Sequence, residues 1–366
     1  MYEYVRPLLF QLDAERAHTL TLRAADWAQR TAPALLEARY AYEDERLKQR
    51  ILGTTMPNPV GLAAGADKNA EVVPFWEAIG LGFVEVGSVS AHPSDGNPQP
   101  RCFRLPEDEA LINRMGLNND GAETVAERLE RTKSERARPV GVNIAKTHDP
   151  DILGAAAIDD FHESFRLLAP QADYITLNIS CPNTSDGQTF EAPEALDDLL
   201  ATILGGQRAP GLKVPVLIKL SPPLSDRVVF DTRLEDLIAV AESHGVDGYV
   251  ATNTASDRNG LRTSPERVEA IGDGGLSGAP LAERSTTLVR YLYRAIEGRV
   301  PIIGVGGVHD AASAYEKIQA GASLVQLYTG LVYEGPGVVR RIKKGLVERL
   351  RDDGHVSIDE AVGTKV

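Results

Sequence analysis

The chain is poor in cysteine. Its two thiols, Cys102 and Cys181, stand far apart in sequence. That spacing excludes a disulfide framework, a thiolate metal set and a cysteine-bound iron–sulfur relay. Basic residues are also in deficit: 39 Lys and Arg face 52 Asp and Glu, for a formal charge of −13. A phosphate-neutralising face is therefore not expected, and nucleic acid is not an expected partner. No apolar run approaches the roughly 20 residues that span a bilayer. The first residues lack the basic-then-apolar pattern of a signal peptide, so a reducing, cytoplasmic setting is expected. No Gly-x-Gly-x-x-Gly follows the first strand-like run, which speaks against a doubly wound open sheet.

What is present is an apolar fraction of 43%, enough for a large core. From about residue 50 a βα rhythm begins. Strand-like runs fall at Pro59–Gly65, Phe83–Val89, Pro139–Ala145, Tyr174–Ser180, Val214–Leu220, Gly248–Thr254, Val300–Gly307 and Leu324–Gly330. Helix-like segments lie between most of them. Eight such alternations predict an α/β fold, a (β/α)8 TIM barrel over residues 51–366. Residues 1–50 differ. Val5, Leu8, Leu9 and Leu12 mark a short helical face, and Asp13 reads as the N-cap of a second helix that Pro33 closes. The expectation is a two-helix extension that either packs as a cap or touches a membrane surface.

In such barrels the chemistry sits where strands end. Here those ends carry Ala64-Gly65-Ala66-Asp67-Lys68, Ser88, Asn143, Asn178, Lys219, Thr252-Asn253-Thr254, Gly306-Gly307 and Tyr328-Thr329. A lysine inside an apolar strand, as at Lys219, requires a partner. The glycines after the seventh and eighth strands suit a phosphate on exposed N–H groups. The fourth strand runs directly into Asn178-Ile-Ser-Cys-Pro-Asn183, which crowds amides and a proton-exchanging thiol into one turn. A long segment, residues 91–120, separates the second and third strands and carries Asn113 and Asn118. Loops of that length usually serve function.

Six motifs carry a resemblance that covers nearly the whole chain. They are Gly61-Leu-Ala-Ala-Gly-Ala-Asp-Lys68, Ile112-Asn-Arg-Met-Gly116, Asn178-Ile-Ser-Cys-Pro-Asn-Thr184, Ala251-Thr-Asn-Thr254, Gly274-Gly-Leu-Ser-Gly278 and Ile303-Gly-Val-Gly-Gly307. With them the sequence resembles the dihydroorotate dehydrogenases. The opening Val5-Arg-Pro-Leu-Leu-Phe10 and Asp13-Ala-Glu-Arg-Ala-His18 is similar to the helical extension of the quinone-linked class 2 branch.

The resemblance implies FMN in the barrel mouth and oxidation of dihydroorotate to orotate in pyrimidine biosynthesis. By position, FMN contacts would come from Ala64, Gly65, Ala66, Asp67, Lys68, Ser88, Asn143, Asn178, Lys219, Thr252, Gly278, Gly307, Tyr328 and Thr329. Lys68, Asn113, Arg114, Met115, Gly116, Leu117, Asn178, Asn183, Asn253 and Thr254 would surround the substrate. His18, Arg104 and Tyr328 would line a quinone tunnel. A peripheral, monomeric protein on the cytoplasmic side of the cell membrane is implied, its extension serving reoxidation by quinone rather than reduction by substrate.

Elementary chemistry agrees with these roles. Amides match the polar edge of a pyrimidine, Lys68 suits a carboxylate, and Lys219 suits developing negative charge. Hydride leaves C6 of dihydroorotate while a base takes the C5 proton. The chain departs from its branch at that base, with Cys181 where class 2 usually has serine and the soluble class 1 enzymes have cysteine. Two alternatives stay open: a class 1-like enzyme using a soluble acceptor such as fumarate, and a non-redox barrel holding a sugar phosphate. Cys102 reads as a buried small residue.

Overall fold

Strands β-branched and aliphatic on both faces are buried on both faces, and eight of them close on themselves. The computed structural model describes residues 2–180, 190–207, 213–223 and 232–366. The chain opens with α1 (Tyr2–Gln11), α2 (Ala14–Thr31) and α3 (Pro33–Tyr40). An antiparallel hairpin of β1 (Gln49–Ile51) and β2 (Thr54–Met56) follows. Then come β3 (Val60–Leu62), α4 (Val73–Ala78), β4 (Phe83–Val89), β5 (Cys102–Leu105), β6 (Ala110–Asn113), α5 (Ala122–Thr132) and β7 (Val140–Ile144). Next are α6 (Ala155–Leu168), β8 (Tyr174–Asn178), α7 (Pro193–Gln207), β9 (Val216–Leu220), α8 (Thr232–His244), β10 (Gly248–Ala251), α9 (Pro265–Ile271) and β11 (Gly275–Gly278). The chain finishes with α10 (Ala282–Ala295), β12 (Ile302–Val305), α11 (Ala311–Gln319), β13 (Leu324–Leu327), α12 (Thr329–Glu334) and α13 (Gly337–Asp352).

The barrel order is β3-β4-β7-β8-β9-β10-β12-β13, closed back on β3, with all neighbours parallel. All eight predicted strands are therefore present; β4 keeps its expected bounds and the other seven are shorter at one or both ends. The barrel floor is apolar. Met56 reaches in from the β1–β2 hairpin to join Phe83, Tyr174, Leu217, Val250, Ile303 and Leu324. Two glycines make room for the floor's rings. Gly61 pairs with Phe83 and Gly141 with Tyr174, and a Cβ on either would run into its neighbour's ring.

The extension differs from the expectation. Asp13 caps α2 as read, accepting from the N–H groups of Glu15 at 3.0 Å and Arg16 at 3.1 Å. Pro33, however, opens a third helix rather than closing the second. Proline fits a first helical turn, where its missing N–H has no intrahelical partner. Residues 91–120 also differ from a plain loop. They hold β5 and β6, which pair with β11 from far along the chain into a three-stranded antiparallel sheet.

Candidate active site

The parallel barrel brings the C-terminal ends of its strands to one mouth. Just above the apolar floor sits Glu85, fully buried on β4. Its carboxylate accepts from Asn143 Nδ2 (3.1 Å), Tyr174 OH (3.1 Å), Thr176 Oγ1 (3.3 Å) and Gln326 Nε2 (2.8 Å). Burial, with the Glu85 charge beside it, holds the Tyr174 phenol well above its ordinary range.

The next residues up the barrel continue the network. Ser88 Oγ donates to Asn143 Oδ1 at 2.5 Å and accepts from Asn178 Nδ2 at 3.1 Å. Asn253 Nδ2 lies 3.1 Å from Asn178 Oδ1 and 2.9 Å from the Ser180 carbonyl. Ser180 Oγ donates to the carbonyl of Lys219 at 3.1 Å. Lys219 itself lies on β9, its side chain buried in the same wall.

Opposite, Lys68 Nζ donates to Asn118 Oδ1, and Asn113 Nδ2 reaches the Gly275 carbonyl at 3.4 Å. Two glycines bring main chain close to the mouth. Gly278 (φ +106°) leaves no room for a Cβ against the Glu109 carbonyl, nor Gly307 (φ +76°) against Ala282. Ser277 and Thr329 share a hydroxyl hydrogen bond of 2.9 Å beside them.

A cavity of about 1110 Å³ joins this mouth to the extension. Lys68, Ser88, Asn113, Asn178, Lys219 and Asn253 line its inner end. Tyr328 stands midway, and His18, Phe10, Leu22 and Arg104 line the outer end. The rings of His18 and Tyr328 are 6.3 Å apart. Arg104 stacks 4.7 Å over Phe10 and donates to the Leu12 carbonyl at 2.8 Å, holding the α1–α2 corner. Burial, helped by the positive charge of Lys68, lowers the His18 imidazole to about 4, so the ring is neutral near pH 7.

Most of the predicted site residues line this cavity. Ala64, Gly65, Ala66, Met115, Leu117, Thr252, Thr254, Gly278, Gly307, Tyr328 and Thr329 do so along with those already named. Four lie elsewhere. Asn143 sits one layer beneath the surface, fully buried. The Asp67 carboxylate turns inward to the N–H groups of Glu71 (2.8 Å), Val72 (2.9 Å) and Trp76 Nε1 (3.1 Å). Its side chain thus anchors the start of α4, and its carbonyl accepts from the Gly87 N–H at 3.3 Å. Arg114 points away, to the Ile271 carbonyl at 2.5 Å and over the Phe103 ring, and Gly116 turns the chain beside Asn97. Cys181 and Asn183 lie outside the described residues.

Sequence reasoning missed Glu85, and it misread Cys102. That thiol is half-buried in the cavity wall, with its pKa pushed up to about 11 by burial. A glutamate amid the valines of Phe83–Val89 was the available signal for Glu85. Among the described residues no cluster of His, Cys, Asp or Glu could hold a metal ion.

A (β/α)8 barrel with an amide- and lysine-lined mouth at the C-terminal ends of its strands, opening toward a helical extension, has the architecture of a barrel enzyme with a small-molecule site. Comparison with known proteins narrows the class. The family model for dihydroorotate dehydrogenase matches residues 46–350, and the chain belongs to that family. Among its curated relatives is the dihydroorotate dehydrogenase (quinone) of Natronomonas pharaonis, 46% identical over 367 residues, covering 100% of this chain and 99% of the relative. That of Nocardia farcinica is 46% identical over 374 residues, covering 100% and 97%. Among solved structures, ligand-free DHODH from Eimeria tenella superposes with a TM-score of 0.81 at 35% identity, covering 92% of this chain and 98% of the other.

Proposed function

We propose that the chain oxidises (S)-dihydroorotate to orotate in pyrimidine biosynthesis, with FMN in the barrel mouth and a membrane quinone as final acceptor. The observation that carries this reading is the cavity that runs unbroken from the amide-lined mouth past Tyr328 to His18 and α1–α2. An acceptor entering between the helices would meet the same mouth that holds the substrate. A soluble acceptor such as fumarate needs no such passage.

The residues present fit FMN. Gly278 and Gly307 line the mouth without side chains, their main chain packed against Glu109 and Ala282, and Lys219, Asn178, Ser88 and Thr329 supply donors beside them. Bound there, FMN would supply the two-electron acceptor for dihydroorotate and the donor for quinone. The chain's own groups do the rest. Lys68 pairs the substrate carboxylate, its ammonium already steered by Asn118. Asn113, Asn178 and Asn253 present fixed amides to the polar edge of the substrate ring. Lys219 places positive charge where negative charge develops. Cys181, assigned from its motif alone, takes the C5 proton on Sγ.

Residues 1–50 form the membrane-facing quinone passage and residues 51–366 the catalytic barrel. The protein works as a monomer lying on the cytoplasmic face of the cell membrane. The test is anaerobic: reduce the purified protein with dihydroorotate, follow the visible band, then add a short-chain quinone or fumarate. Rapid reoxidation by quinone and none by fumarate is the expected result. Rapid reoxidation by fumarate would instead favour the soluble-acceptor reading.

A further inference from the structure

One charge pair joins the extension to the wall of the substrate pocket. Arg101 immediately precedes β5, and its guanidinium is buried, at 8% exposure. Its Nη1 donates to the carbonyls of Asp95 (2.5 Å) and Asn97 (2.8 Å) and lies 3.5 Å from that of Met115. Its Nε and Nη2 donate to both carboxylate oxygens of Glu15, on the first turn of α2, at 2.7–3.2 Å. The guanidinium is therefore a staple. One side gathers the main chain of the strap at residues 94–97 and of the loop at 114–118. The other is neutralised by the extension.

The two gathered segments also bind each other. Asn97 N–H donates to the Met115 carbonyl at 3.1 Å, and Asn97 Nδ2 to the Arg114 carbonyl at 2.9 Å. Gly96 (φ +72°) packs so closely that a Cβ there would strike the Met115 carbonyl. The loop ends at Asn118, the partner of Lys68. The Arg101 charge also holds the Glu15 carboxyl below its usual range, chiefly through their hydrogen bonds. A guanidinium this deeply buried does not hold three carbonyls in place once its counter-charge is gone, because the unpaired cation then draws water and loosens its surroundings.

We propose that Glu15, though it belongs to the extension, is a positioning residue for dihydroorotate binding: acting through Arg101, it fixes the Met115–Asn118 wall of the substrate pocket. The extension thereby serves the first half-reaction as well as the second. This rests on the reading that dihydroorotate binds in the mouth beside Lys68.

The test uses the full-length FMN-loaded protein under anaerobic conditions with no quinone present. In Glu15→Ala, the dihydroorotate concentration giving half the maximal rate of flavin reduction is expected to rise about tenfold or more, as for other broken buried charge pairs. The limiting rate is expected to change less than about twofold, since the pair touches no reacting atom. Orotate affinity, read from the visible-band perturbation, is expected to fall in parallel. Glu15→Gln, which keeps the volume and a hydrogen-bond acceptor, should recover part of both losses. Glu37→Ala, removing an exposed carboxylate on α3, should change neither. If Glu15→Ala does not accumulate as folded holoenzyme, Glu15→Gln carries the test on the same criterion. Parent-like half-saturation and orotate affinity in the glutamate 15 variants would overturn the inference alone. A parent protein that dihydroorotate does not reduce would overturn the reading beneath it as well.

Discussion

His18 is neutral in the fold chiefly because burial disfavours its charged form, with a neighbouring positive charge adding to the effect. Lys68 stands close by, and the imidazole is largely shielded from water. An unfolded chain has no such constraint and takes up a proton near pH 6.5. Between pH 6.5 and about 4 the unfolded state therefore binds a proton that the folded state refuses, and stability falls as pH falls through that window. Above it this group contributes no slope. His18→Gln should remove that part of the acid sensitivity. Urea unfolding at pH 7 and pH 4.5 should show a stability loss roughly 2 kcal/mol smaller than in the parent. At this scale the sequence was most legible where a side chain ends a strand. Ser88, Asn178, Lys219 and Asn253 were readable because an apolar run breaks at a polar residue. Glu15 and Arg101 were not, because neither breaks a pattern and each finds its partner 86 positions away.

The helices and hairpins divide the same way. Asp13 announced α2 by its chemistry, whereas Pro33 was ambiguous: the same residue stops one helix and opens another. The segment at 91–120 looked structureless because the strand that completes its sheet, β11, comes some 160 residues later. The extension is bound to the barrel at several points. Tyr2 OH donates to the Val332 carbonyl at 2.5 Å, Arg6 to the Tyr333 carbonyl at 3.0 Å, and Phe10 packs edge-on against Tyr333 at 5.4 Å. Deleting residues 1–45 is thus expected to do two things. Reoxidation by quinone should slow by at least about tenfold, since the outer half of the passage is gone. The half-saturating dihydroorotate concentration should rise as in Glu15→Ala, while the limiting rate of reduction stays near that of the parent. Stopped-flow traces of the two half-reactions separate these effects.

Across the whole molecule, the eightfold repeat made the barrel legible, since no single strand had to be placed with confidence for the count to emerge. The surface distribution of apolar groups was less so, because exposure depends on tertiary contacts. Tyr4, Leu8, Leu20, Trp27 and Leu35 are exposed, and all lie on α1–α3. Among the described residues no helix is long and apolar enough to cross a membrane. Exposed apolar groups on these helices, in a chain of net charge −13, suit lipid contact led by apolar insertion rather than by charge. The protein should float with neutral phosphatidylcholine vesicles, and a Leu8→Ser, Trp27→Ser, Leu35→Ser triple variant should stay in the dense fraction.

The barrel interior holds a further consequence. As a carboxylate, Glu85 can only accept hydrogen bonds. It therefore takes the NH₂ of Asn143 and turns that amide's oxygen upward. Ser88 directs its proton to that oxygen and offers its lone pair to the NH₂ of Asn178. Asn178 in turn shows its oxygen to the NH₂ of Asn253, whose own oxygen faces the Thr254 N–H. The ladder has a polarity, and one buried anion sets it. Which face each amide shows a ring at the mouth is decided beneath it, by a residue that no ring can reach.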